Sequence, residues 1–181
     1  VLAASPVTGT GLFWVPVPHT GDAAVSQAEA DVVAGLVAGL LDGGTWASAD
    51  GALRLMTPAD VLVLTPYNQH AQRVRQGLAA VPGGDEVLVG TVDKLQGRQA
   101  AAVVYSLATS SAEQAPRGLE FVLSVNRFTV AVSRARALVA VVGSPDLLLA
   151  PVGGPADLRR LNALCAYVEQ AQRLDLMAVR R

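Results

Sequence analysis

An α/β fold, with a mainly parallel sheet covered by helices on both faces, follows from three observations. Short apolar runs alternate with helix-period segments along most of the 181 residues. The runs are continuous rather than alternating, as in strands buried on both faces. Short connections join them.

Taken in order, Gly11–Val17 (GLFWVPV) reads as a strand. Ser26 and Glu29 fit a capping box, as N-cap and N3, for a helix carrying Val33, Leu36, Val37, Leu40 and Leu41; Gly43-Gly44 stops it. Trp46–Pro58 reads as a loop. Val61–Thr65 is a buried strand, Gln69–Val81 a helix closed by Pro82-Gly83-Gly84, and Val87–Thr91 a strand followed by the turn Asp93–Gly97. Ala101–Leu107 is a further strand and Thr109–Gly118 a polar loop. Asn126–Arg136 reads as a helix before the strand Val139–Gly143, and Pro145 opens a short helix through Leu149. Pro151–Pro155 is a linker, Asp157 caps a last helix with Leu161, Leu164, Cys165 and Val168 on one face, and Leu174–Arg181 is a frayed end.

Composition narrows the classes. The net charge of −1 exerts no global pull on nucleic acid, so any such binding is local. Lys94 is the sole lysine, which fits a GC-rich coding genome and gives arginine enrichment little weight. No apolar run approaches the roughly 18 residues that cross a bilayer, so no membrane contact is expected. Cys165 alone cannot build a disulfide framework; its spacing makes it a buried, inert core residue. His19 and His70 lie far apart without ligand-like companions, so no metal site is expected. These points favour a cytoplasmic setting. A start without Met or a signal peptide suggests a piece of a longer protein.

The most informative segment is NRFTVAVSRAR, Asn126–Arg136. On a helix, positions seven apart share a face, which sets Arg127 and Arg134 together and turns Arg136 elsewhere. A guanidinium on a rigid helix beside a sheet suits a phosphate. The plainer alternative is an amphipathic helix with solvated arginines. In a parallel sheet the loops after strands carry ligands, which marks Thr65-Pro66-Tyr67, Thr91–Gly97 and Ser144–Asp146. Asn126–Arg136 precedes its strand, so its side chains reach the sheet's edge or a neighbouring domain.

Three ordered blocks resemble superfamily 1 helicases of the Upf1-like branch. Val63–Asn68 (VLTPYN) resembles motif IV, Val89–Arg98 (VGTVDKLQGR) motif V, and Asn126–Arg136 motif VI. Ser26–Val33 is similar to the family's Glu-Ala helix. The stretch between motifs V and VI is similar to bacterial proteins that fuse a RecB-like nuclease to such a helicase, so a fused nuclease domain is one implied partner. The likeness spans Gly11–Leu149 and implies a three-layer RecA-like domain, the second of a motor, over residues 1–150. Residues 151–181 would be a linker and a helix packing on the same domain. No Walker A sequence is present, and Lys94 has no P-loop context. ATP and Mg2+ would be held mainly by a separate N-terminal RecA-like domain, and this chain alone would be inactive.

The resemblance also implies roles. Arg134 would be the arginine finger and Arg127 a second catalytic candidate; Arg136 reads as structural. Gln96, Gly97, Arg98 and Gln99 would line the nucleotide, with Gln99 where the family usually has a ribose-binding Glu. The lesser alternative for Gly97 is an ordinary turn glycine. Thr65, Asn68, Thr91 and Asp93 would follow single-stranded nucleic acid, DNA ahead of RNA; Asp93 could instead cap a turn. Tyr67 could pack beneath the loop or offer a stacking face to a base, packing being favoured, and Glu29 reads as structural. Only eight aromatic residues argue against an extended stacking platform. The implied whole is the C-terminal motor domain of an ATP-dependent helicase. The alternative is a degenerate RecA-like module that binds nucleic acid or protein without turnover.

Overall fold

The computed structural model describes residues 9–48, 50–95 and 97–175. Its strands are β1 (Gly11–Pro16), β2 (Thr45–Ala47), β3 (Leu53–Leu55), β4 (Val61–Thr65), β5 (Leu88–Thr91), β6 (Ala100–Ser106), β7 (Ala135–Gly143) and β8 (Gln172–Arg173). Its helices are α1 (Gln27–Leu41), α2 (Asn68–Leu78), α3 (Leu119–Val122), α4 (Val125–Val132) and α5 (Pro155–Gln170). Six strands form one sheet in the order β5-β4-β6-β7-β1-β8, and every pairing in it is parallel.

Successive side chains of a strand face opposite ways, and both sides here are dry. Val61, Val63, Ala102, Val104, Ala140 and Val142 join Val33, Leu36 and Val37 of α1 and Ala71, Val74 and Leu78 of α2. On the other face, Leu62, Leu64, Val103, Tyr105, Val139 and Val141 join Val122 of α3, Phe128 and Ala131 of α4, and Leu164 and Tyr167 of α5. The expected three layers are therefore present. The Tyr167 hydroxyl donates to the carbonyls of Phe13 and Val139 at 3.0 and 3.1 Å, which ties α5 to the sheet.

Several expectations need correction. The loop expected at Trp46–Pro58 contains an antiparallel hairpin, β2 against β3, with Trp46 opposite Arg54. The arginine helix ends at Val132, with Ser133 as its C-cap. Thr129, Val130 and Val132 are β-branched and stiff in a helix, and Ala135 pairs with Ala100 as β7 begins. Strand β7 thus starts four residues earlier than expected and includes Arg136. Helix α5 starts at Pro155, a good first helical residue. Asp157, expected as its cap, lies inside the first turn and pairs with Arg160 at 2.7 Å. Cys165 is half-buried rather than buried, and burial raises its thiol pKa. Leu174, expected in a frayed end, donates its amide to the Trp14 carbonyl at 2.9 Å; residues 176–181 lie outside the described set. No helix among the described residues is long and apolar enough to cross a membrane.

Candidate functional site

The residues singled out by sequence fall at two edges of the sheet. At the carboxyl edge, Thr65 and Thr91 end β4 and β5 and stand opposite each other in register. Thr65 is fully buried and its hydroxyl accepts from the Tyr67 amide at 3.4 Å, so its side chain offers no surface to a strand. The Thr91 carbonyl accepts from the amides of Lys94 and Leu95, which winds the following turn. A Cβ on Gly90 would come within 2.9 Å of Leu95, so this glycine lets the turn fold back onto its strand. Asn68, at the start of α2, and Asp93 are the exposed members of the set.

At the amino edge, the Arg134 carbonyl accepts from the Ala100 amide at 3.1 Å where β6 and β7 begin. Arg98 and Gln99 lead directly into β6 and are exposed. Gly97 has φ of +86°, a conformation that favours glycine, and a Cβ there would meet nothing within 4 Å. The chain thus leaves the space beside Gly97 open. Gln96 lies outside the described residues. Arg134 itself is half-buried; its Nε is buried and has no hydrogen-bond partner among the described residues. A buried donor without a partner leaves hydrogen-bonding capacity unused, a condition that Trp46 Nε1 and the hydroxyls of Tyr67 and Tyr105 share among the described residues.

Arg127 does not join Arg134. Because α4 stops at Val132, the shared helical face expected for the two arginines is not formed. The Arg127 guanidinium instead holds Asp93, with Nε 3.2 Å and Nη2 3.1 Å from Oδ2. This pair links the turn after β5 to the start of α4. It also engages the two side chains that the resemblance assigned separately to strand and nucleotide.

Sequence reasoning missed a stack of rings and cations beside that pair. The Tyr67 ring lies 5.3 Å from that of Phe121, and the guanidinium carbons of Arg117 and Arg127 lie 4.0 and 4.4 Å from the Phe121 centroid. Phe128 continues the aromatic cluster with Tyr105 at 6.0 Å and Tyr167 at 5.3 Å. Five of the eight aromatic residues are therefore gathered on one face. The sparse aromatic content hid this because it speaks of number and not of placement.

A second polar cluster also lies at the carboxyl edge, and it corrects two expectations. Glu29 is fully buried. Its amide donates to Ser26 Oγ, the first half of a capping box, but its carboxylate turns away from the cap. Ser106 Oγ donates to it at 2.6 Å, the Ala108 amide at 2.8 Å and His19 Nε2 at 2.9 Å. His19 Nδ1 lies 2.8 Å from Ser110 Oγ and 2.9 Å from Asp22 Oδ2. His70 Nε2 donates to Ser106 Oγ at 2.7 Å while its Nδ1 accepts from the Ser26 amide. The histidines, distant in sequence, thus meet through one serine and one glutamate. Burial pulls His19 down, but the Glu29 hydrogen bond and charge, then Asp22, outweigh it and leave its pKa raised. Burial lowers His70. Among the described residues no cluster of three or more His, Cys, Asp or Glu is placed to hold a metal ion.

Residues 18–146 match the family described as AAA domain. The chain belongs to that family. As an AAA domain it is also similar to curated helicases. It is 33% identical over 118 residues to the DNA polymerase alpha-associated DNA helicase A of Schizosaccharomyces pombe, covering 65% of this chain and 16% of that protein. It is 30% identical over 97 residues to the RNA helicase Mov10l1 of Homo sapiens, covering 52% of this chain and 8% of that protein. The chain therefore spans only a small part of the relatives it matches. The family match and these relatives together support a helicase-type AAA domain.

Proposed function

We propose that this domain is the C-terminal motor half of an ATP-dependent helicase that travels on single-stranded nucleic acid. Arg134 is its arginine finger. The observation that carries this reading is the orphaned Nε of Arg134, a buried donor without an acceptor at an edge that also bears Gly97, Arg98 and Gln99. A phosphate oxygen of ATP, presented by an N-terminal RecA-like domain of the same protein, would complete it. Guanidinium donors match phosphate geometry, and their charge stabilises the charge that develops on the transferring group. ATP brings the phosphoryl group and Mg2+ neutralises its oxygens; both would be held chiefly by the partner domain. Gln99 can hydrogen-bond a ribose hydroxyl without adding charge.

Arg127 is the lesser catalytic candidate, since Asp93 already occupies its guanidinium. Their pair lies between the strand-facing turn and α4, where it can pass a change at one edge toward the other. Relatives named as DNA and as RNA helicases support nucleic acid as the substrate class. The deciding experiment is single-strand-stimulated ATP hydrolysis by the natural protein that contains this chain. Arg134→Ala should lower the rate by about a thousandfold or more with ATP binding largely kept. An unchanged rate would leave a nucleic-acid-binding module without turnover as the better account.

A further inference from the structure

Arg117 and Phe121 belong to none of the three motif blocks, yet they stand beside the residues expected to follow the strand. The Phe121 ring rests against Tyr67, which lies one residue beyond Pro66 at the carboxyl end of β4. The Arg117 guanidinium covers the Phe121 ring at 4.0 Å from its centroid, and Arg127, bound to Asp93, approaches the same ring at 4.4 Å. Tyr67 is only 7% exposed and Phe121 is half-buried, so the two rings form the base of the stack. Arg117 is exposed and is paired with no carboxylate among the described residues.

We propose that Arg117, whose guanidinium lies over the Phe121 ring, is a stacking platform for a base of single-stranded nucleic acid. A guanidinium is planar and delocalised, so one face can lie on an aromatic ring while the other accepts a base. The ring beneath restricts the long side chain in advance, which lowers the ordering cost when the base arrives. The unpaired charge attracts the phosphate backbone as well. Stacking of this kind tolerates any base, as a motor that moves along a strand requires. The strand, rather than a free nucleotide, is the occupant favoured by position. Tyr67 sits at the carboxyl edge with Asn68 and Asp93, whereas Gln99 and Arg134 lie at the amino edge.

This inference rests on the reading of the domain as a nucleic-acid motor, and its test separates the two. Binding of the natural full-length protein is measured, without ATP, to a labelled single-stranded oligonucleotide and to an abasic one of equal length; ADP binding is measured in parallel. Arg117→Lys keeps the charge and loses the plane, and the exposed position tolerates it. It should weaken binding of the base-bearing strand about tenfold and leave the abasic strand and ADP unchanged. Phe121→Leu should reproduce that loss. Equal losses on both strands, a loss confined to ADP, or no loss while the wild type binds the strand would overturn the platform and leave the motor reading standing. A wild type that binds neither strand would overturn both.

Discussion

Two polar clusters lie at the carboxyl edge of the same sheet, and they differ in whether their hydrogen-bonding capacity is used up. Around Glu29 it is: the carboxylate takes three donors, both nitrogens of His70 are engaged, and each nitrogen of His19 faces a carboxylate oxygen. Around Phe121 it is not, because Arg117 lies over the ring and pairs with no carboxylate among the described residues. The same is true at the amino edge, where Arg134 Nε has no acceptor among the described residues. A buried cluster with every group satisfied specifies the fold. Arginines with spare donors, held by the fold but not consumed by it, are available to a ligand.

Breaking the closed cluster should therefore cost stability. Glu29→Ala removes the buried carboxylate facing His19 Nε2, leaving that ring only Asp22, and strips the acceptor from Ser106 and Ala108. Ala108 is the one non-glycine among the described residues with positive φ, at 67°, so its backbone depends on that hydrogen bond. Loss of about 3–5 kcal/mol in chemical denaturation is expected, and a change below about 1 kcal/mol would show the cluster to be dispensable. Ser106→Ala removes one relay between Glu29 and His70 and should cost about 1–3 kcal/mol by the same assay.

The histidines give the cluster a pH signature. His19 has a raised folded-state pKa, so its contribution is complete below the unfolded value of 6.5 and fades as pH rises through the folded one. His70 has a lowered one and loses stability in the other direction, as pH falls below 6.5. His19→Gln should flatten the alkaline decline of the denaturation midpoint and leave the acid side intact; an unaltered alkaline limb would mean that His19 is not charged in the fold. The open cluster predicts the smallest change in stability. Asp93→Asn alters a pair in which Asp93 is 66% exposed, so it should shift stability by less than about 1 kcal/mol. It should nonetheless reduce the stimulation of hydrolysis by single strand, read as the ratio of stimulated to basal rate; an unchanged ratio would make the pair structural.

The contrast also explains what was legible in the sequence. Strands β4, β6 and β7 announced themselves as continuous apolar runs, and the turn after β5 through its Gly and Asp. Helix α4 was overextended because Ala131 to Arg136 keeps a helical look locally; the Ala100–Ala135 pairing that ends it joins distant segments. Glu29 had a complete local explanation as part of a cap, yet its carboxylate partners Ser106 and Ala108 lie 77 and 79 residues away. Phe121 sat in an unpatterned stretch, and only the fold brings it to Tyr67. What failed to show in sequence was long-range pairing, in the core and at the site alike.

The central claim is that Arg134 serves chemistry and not folding, and one paired measurement tests it. ATP hydrolysis with saturating single strand and the thermal midpoint are recorded for the natural protein and for its Arg134→Ala form. The account predicts a rate lower by about a thousandfold or more and a midpoint that does not fall, since the lost side chain had an unpaired Nε. A preserved rate with a lowered midpoint would contradict it, and would place Arg134 with Glu29 among the residues that hold the fold.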